Sequence, residues 1–236
     1  FHEDARPAPV MTGNTLSGNA RLLMVPISAL PDETNVLVPG DESWIGVRGD
    51  SIETDMTLGI WYPGTADEIK VYRVFSSSIE VPGGAVLTID PGVVVKFDDD
   101  VGIDVSGALV AAGEADQMVV LTSDADDRAG GDSNGDGALT PPVNGDWAGV
   151  VFRDSANEAL SLISHARIAY GGSQTANLHL DGAAVTVENS ELSNSSGSGL
   201  AVDNASPVIS GNDIWGNAAD GIAVTGSAAN PEITFN

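Results

Sequence analysis

Between Asn177 and Asn236 apolar residues fall at every second position in short runs, and the runs recur. Asn177-Leu-His-Leu-Asp-Gly, Gly199-Leu-Ala-Val-Asp-Asn and Gly221-Ile-Ala-Val-Thr-Gly begin 22 residues apart. Within the period Val187 corresponds to Ile209, Ser190 to Asn212, Leu192 to Ile214 and Ser195 to Asn217. Alternation of this kind marks half-buried strands, and the Gly, Asn, Ser and Asp between the runs mark tight bends. Three short strands in a fixed period near 20 residues predict an all-β parallel β-helix, a solenoid with coils of about 22 residues.

Such a coil has to stack. Its inward apolar side chains are worth about 1.5–3 kcal/mol each when buried, while ordering its backbone costs about 1–2 kcal/mol per residue. Stacked at roughly 4.8 Å, the strands hydrogen-bond to the coils above and below and the inward rows merge into one core. Asn212 and Asn217 sit where inward asparagines can stack as ladders between coils, or serve simply as turn residues.

The pattern divides the chain into three. Residues 1–20 read as the end of a preceding solenoid segment: Pro9-Val-Met-Thr-Gly-Asn-Thr-Leu-Ser-Gly-Asn19 aligns with Pro207-Val-Ile-Ser-Gly-Asn-Asp-Ile-Trp-Gly-Asn217, with Phe1 in the apolar slot of Leu16 and Ile214. Residues 21–71 form an irregular β-rich seam, with strands expected over Leu22–Ile27, Trp44–Val47 and Met56–Tyr62. Residues 72–236 carry the solenoid proper, interrupted by one long acidic loop at 124–146. Because Pro231-Glu-Ile-Thr-Phe-Asn236 starts the same phrase again, the chain reads as one unit of a longer tandem array.

The phrases LTIDPGVVVKF, GALVAAGEADQMVVLTS, GDSNGDG, GDWAGVVF and SHARIAYGG, in that order, resemble the right-handed parallel β-helix modules of bacterial secreted and surface proteins. The resemblance covers Tyr72–Asn236 well and the beginning of the chain in part. It implies the hand of the solenoid and an extracellular or cell-surface setting. It says little about activity, since the same fold hosts lyases, glycosidases, adhesins and scaffolds.

Charge narrows the choice. Against 34 acidic residues stand 9 basic ones, a net charge of −25. Nucleic acid and anionic membrane surfaces want basic patches, so both are disfavoured as partners, as are polyuronate substrates. No run approaches the ~20 apolar residues of a membrane span. There is no cysteine, so the redox compartment cannot be read from disulfides.

The acidic loop holds the one recognisable piece of chemistry. Asp132-Ser-Asn134-Gly-Asp136-Gly is the first half of an EF-hand-type calcium loop, in which oxygens at alternate positions converge on one hard cation. Val143 stands where the closing acidic residue belongs, so Asp124, Asp126, Asp127 or Asp146 are the candidates to complete the shell. Calcium is the expected cofactor because carboxylates this close repel one another without a counter-ion. Its expected role is to pin a loop that breaks the coil rhythm.

No catalytic set is expected. Asp98-Asp99-Asp100 reads as a solvated corner. His2, His165 and His179 are scattered, with His179 expected on the outer face and His165 sharing an outer face with Arg167. Ser195 and Ser198 have no histidine partner in sequence, and the Gly-His-Gly and paired-Asp signatures of pectin-cleaving β-helix hydrolases do not occur. Arg48-Gly-Asp50 and the sequons at Asn194 and Asn204 are short enough to arise by chance. The expectation is a non-catalytic, calcium-stabilised, structural or adhesive segment that meets further units of its own kind head to tail, with a surface glycan as a possible partner. The alternative is a carbohydrate-active enzyme or glycan-binding β-helix. A cleft with aromatics and opposed carboxylates favours the alternative, a uniform wall the scaffold.

Overall fold

The computed structural model describes residues 10–32, 34–40 and 42–236; the expectations for Phe1 and His2 lie outside these. Three parallel sheets, of six, seven and eight strands, form the walls of the solenoid. One turn of the regular region shows the plan. Ala176–Asp181 lies in the first sheet, Thr186–Glu188 in the second and Glu191–Ser193 in the third, before Ser198–Asp203 returns to the first. From Met56 onward the strands visit the sheets in this cyclic order without exception.

The inward rows make the core. On the third sheet Leu23, Ile45, Tyr72, Val95, Leu121, Ile168, Leu192 and Ile214 stack in register. On the second sheet Ile89, Ala111, Ile163, Val187, Ile209 and Ile233 do the same. Phe97 and Trp147 stack face to face at 4.3 Å, filling the core where the long insertion rejoins the coil.

Corners are as regular as strands. The residue that follows the second-sheet strand is left-handed in four coils, at His165, Asn189, Gly211 and Phe235 (φ between 48° and 67°). His165 therefore occupies a corner, with Nδ1 3.0 Å from the Ser164 hydroxyl, and does not share a strand face with Arg167 as alternation suggested. Left-handed backbone shifts the alternation by one place, which period-two counting does not register.

Segment 21–71 adds Leu23–Pro26, Trp44–Arg48 and Val71–Phe75 to the eight-stranded sheet. It gives the second sheet only Met56–Leu58 and the first only a bridge from Ser51 to Glu80. Thr15–Leu16, which its sequence alignment would put in the third sheet, pairs instead with Val36–Leu37 in a separate two-stranded sheet.

The asparagines are ladder residues. The side chain of Asn212 accepts from the Ser190 N–H at 3.0 Å and donates to the Val187 carbonyl at 3.0 Å. Asn217 treats Ser195 N–H and Leu192 O in the same way, at 2.9 and 3.1 Å. Asn236 repeats this on Asn212 and Ile209, Asn177 on Gly171 and Ile168, and Asn35 on Asn14 and Met11. Each amide thus clips an N–H and the carbonyl three residues before it. Both are backbone groups that a corner leaves without strand partners.

Candidate functional site

The acidic insertion leaves the third sheet after Val119–Ser123 and rejoins the first at Gly149–Phe152. It folds back over the outer face of the third sheet, which is apolar there. Trp44, Val71, Val94 and Val120 stand in one outward row. Ala129 closes over them to form a second small core, in which Trp44, Val71 and Val94 are buried. A Cβ at Gly130 would come within 2.6 Å of Val71, so the loop backbone lies directly on the sheet.

Beside the apolar row runs a cationic one. Arg73 and Lys96 are register neighbours on the same face. Arg73 bridges Asp98 and Asp124, 2.8 Å from each, and donates to the Ser133 carbonyl at 3.1 Å. Lys96 is fully buried and donates to the Gly131 carbonyl. Burial pulls its ammonium below the usual lysine range, while Asp127, Asp126, Asp124 and Asp132 push it back up. Two coils on, Arg167 reaches Asp126 at 3.3 Å and Glu191 at 3.5 Å. Much of the counter-charge that the acidic loop requires comes from the chain itself.

The seven expected calcium ligands accordingly go to different places. Asp124 is held by Arg73, and burial pushes its carboxyl up to about 6. Asp126 accepts from the Thr122 hydroxyl at 2.9 Å and from Arg167, yet its Oδ1 is buried without a partner. Asp146 accepts from the Ser123 hydroxyl at 2.7 Å and the Val143 N–H at 2.9 Å, which closes the base of the loop. Asp132, Asn134 and Asp136 form a tight turn. Asp132 accepts from the Gly135 and Gly137 N–H groups at 2.6 and 2.8 Å, and Asp136 from those of Leu139 and Thr140 at 2.9 and 3.0 Å. The Gly137 and Gly135 N–H groups hold the Asp132 carboxyl below its ordinary range, and the Thr140 hydroxyl, with the Leu139 and Thr140 N–H groups, does the same for Asp136. Asp127 differs: its Oδ1 is also buried without a partner, and burial together with Asp132 pushes its carboxyl up. Among the described residues no three His, Asp or Glu side chains are arranged to hold a metal ion.

The far end of the insertion clips the following coils. Gly145 and Asp146 donate to the Tyr170 carbonyl at 3.1 and 2.9 Å. Asn144 donates to Ser195 O at 3.1 Å and Gly216 O at 3.2 Å. Between the loop and the corner at Asp98–Asp99 lies a cleft of about 800 Å³, lined by Asp98, Asp99, Asp124, Asp146 and Arg73 among others. The Asp98 corner is thus engaged with Arg73 rather than simply solvated.

Other expected features are structural. His179 is half-buried on the outer face of the first sheet and meets Asp203 of the next coil at 2.7 Å. The Arg48–Asp50 tripeptide is pressed against the following coil, where a Cβ on Gly49 would collide with Ser77 O. Asn194 and Asn204 are left-handed corner residues lying against Gly216 and Gly226.

Residues 143–236 match the family described as the right handed beta helix region. The fold is a right-handed parallel β-helix. Because the strands keep the same cyclic order of parallel sheets from Met56 onward, the β-helix has one hand across the insertion. Neither curated proteins nor solved structures yield a match. No helix among the described residues is long and apolar enough to cross a membrane.

Proposed function

We propose that this β-helix is a non-catalytic structural or adhesive segment, working outside the cell as a stiff spacer. The observation that carries the reading is the recurring asparagine clip, which ties coil to coil with one geometry at four places, Asn35, Asn212, Asn217 and Asn236. A following coil, from the same chain or from a second copy, can extend such a ladder by adding its own amide, which supports tandem or head-to-tail stacking. The large negative charge keeps these sheet-rich bodies apart sideways.

Calcium fits the tip of the insertion in part. The orphaned Asp127 oxygen and the Asp132, Asn134 and Asp136 turn supply oxygens of the right kind. Binding requires the turn to release N–H groups that its carboxylates now hold, so affinity falls in the extracellular range of about 10⁻⁴–10⁻³ M. Asp124, Asp126 and Asp146 stay with their present partners.

The rival reading is a carbohydrate-active protein. It draws on the acidic cleft, where Asp124 beside Asp98 titrates at about 6, a range suited to a general acid. Negative-stain electron microscopy of the purified chain, with calcium and then with chelator, separates the two. Thin rods that lengthen with concentration support the structural reading. Dispersed particles under both conditions, together with hydrolysis in a polysaccharide screen that Asp124→Asn abolishes, would replace it with the rival.

A further inference from the structure

A second cleft, of about 590 Å³, opens mainly within segment 21–71. After Met56–Leu58 the chain runs out into a short hairpin closed by an antiparallel bridge between Trp61 and Ile69. Trp61, Tyr62, Tyr72 and Pro31 line the cleft together with two carboxylates, Asp32 and Asp90. The feature that was to distinguish a binding surface from a uniform wall is therefore present, in the least regular part of the β-helix.

What the lining lacks in donors is informative. The polar atoms of the rings are turned away from a ligand. Trp61 Nε1–H donates to the Tyr72 hydroxyl at 3.1 Å, which donates in turn to Gly59 O at 2.7 Å. The Tyr62 hydroxyl accepts from the Leu37 N–H at 2.8 Å and donates to Asn35 O at 3.3 Å. These bonds fix the two rings edge to face, 6.2 Å apart. No lysine or arginine lines the cleft. The Asp32 carboxylate is partly occupied by Thr34 and Asn35, whereas the Asp90 carboxylate has no hydrogen-bond or ion-pair partner among the described residues. A ligand thus meets π faces and carboxylate oxygens, with the Thr57 hydroxyl as the only side-chain donor left uncommitted.

We infer that this cleft binds an organic ammonium ion, a substituted amine headgroup whose methyl or methylene groups lie on Trp61 and Tyr62 while Asp90 balances its charge. Ring faces attract cations through their quadrupole, carboxylates accept only, and a protein carrying −25 charges concentrates cations at its surface. A neutral sugar can stack on the rings and donate its hydroxyls to the carboxylates but brings no charge for Asp90 to balance, and an anion is repelled. The inference goes beyond the structural role and does not depend on calcium or on self-stacking.

The test is titration of the full chain with choline chloride, read by tryptophan fluorescence and calorimetry at fixed ionic strength. The uncharged isostere 3,3-dimethylbutan-1-ol and glucose are run alongside. Saturable choline binding is expected, with the alcohol weaker by about tenfold or more, the factor a desolvated cation–π contact supplies. Asp90→Asn is expected to weaken choline about fivefold or more without moving the unfolding midpoint, since Asp90 holds nothing in place. Equal binding of choline and the alcohol, preference for glucose, or no saturable response to choline overturns the inference. The isostere comparison uses the unmodified protein, so it decides the matter even if a variant fails to fold.

Discussion

The coils before and after the insertion are tied to their neighbours by different means. After it, from Leu162 onward, coils of 22 to 24 residues repeat closely, and Asn212 and Asn217 clip their corners to those of the coil before. Before it, from Val36 to Ser123, there is no asparagine at all. There the spacing between stacked residues reaches 31, as between Met56 and Leu87. Uniform coils allow an internal polar clip, because each corner presents the same orphan N–H and carbonyl at the same place. Between Val36 and Ser123 the irregular coils have no such clip and are held from outside, by an insertion that covers an apolar row, pairs its carboxylates with Arg73 and Arg167 and accepts a hydrogen bond from Lys96.

The largest test of that contrast removes the cover. Replacing residues 125–145 by a short Gly-Ser linker exposes Trp44, Val71 and Val94. At about 1.5–3 kcal/mol each, that is roughly 5–9 kcal/mol lost from the early coils alone. Calorimetry should then show two transitions in place of one, with the clipped coils melting last and hydrophobic dye binding between the two. Lys96→Met comes next. It removes the positive charge that faces Asp126 and Asp127 together with the hydrogen bond to the Gly131 carbonyl, and should cost about 1–3 kcal/mol, read as a lower urea midpoint. A more stable variant would show that this lysine does not neutralise them.

Effects of that size and smaller probe the clip itself. Asn177→Ala strands the buried Gly171 N–H and takes the side-chain donor from the Ile168 carbonyl, while the Ser193 carbonyl keeps the Tyr170 N–H, for an expected loss of about 1–3 kcal/mol in chemical denaturation. The same change at the exposed Asn236 should stay within about 0.5 kcal/mol. The smallest effect is expected from chelation. Calcium at the turn of Asp132 and Asp136 adds to a loop already latched by its base, so its removal should lower the melting temperature by only a few degrees, about 1 kcal/mol in a domain of this size. Asp132→Asn should abolish that difference.

Much of the architecture was legible in the residues. Period and alternation over Asn177–Asn236 predict the three sheets and the register pairs Val187 with Ile209 and Leu192 with Ile214, and the structure has both. The cover over the third sheet was not foreseen, although a signal existed. Trp44-Ile45, Val93-Val94-Val95 and Val119-Val120-Leu121 are apolar at successive positions, the mark of strands buried on both faces. A solenoid strand needs only one buried face, so such runs point to something packed outside. The loop, read from its own carboxylates, suggested a metal. Its partners Arg73, Lys96 and Arg167 lie up to 60 residues away in sequence, and no local motif discloses them. The aromatic cleft was missed for a related reason: Trp61 and Tyr72 meet through a hairpin closed by a single bridge.

Hydrogen exchange followed by mass spectrometry, with calcium and with chelator, tests the account at its centre, that external latch and internal clip make one continuous β-helix. The account predicts that amides of Val71–Phe75 and Val94–Phe97 exchange as slowly as those of Ala176–Asp181 under both conditions, with only the tip around Asp132–Asp136 responding to chelator. Early exchange of Val71–Phe75 and Val94–Phe97 in the intact chain, or their release by chelator, would contradict it.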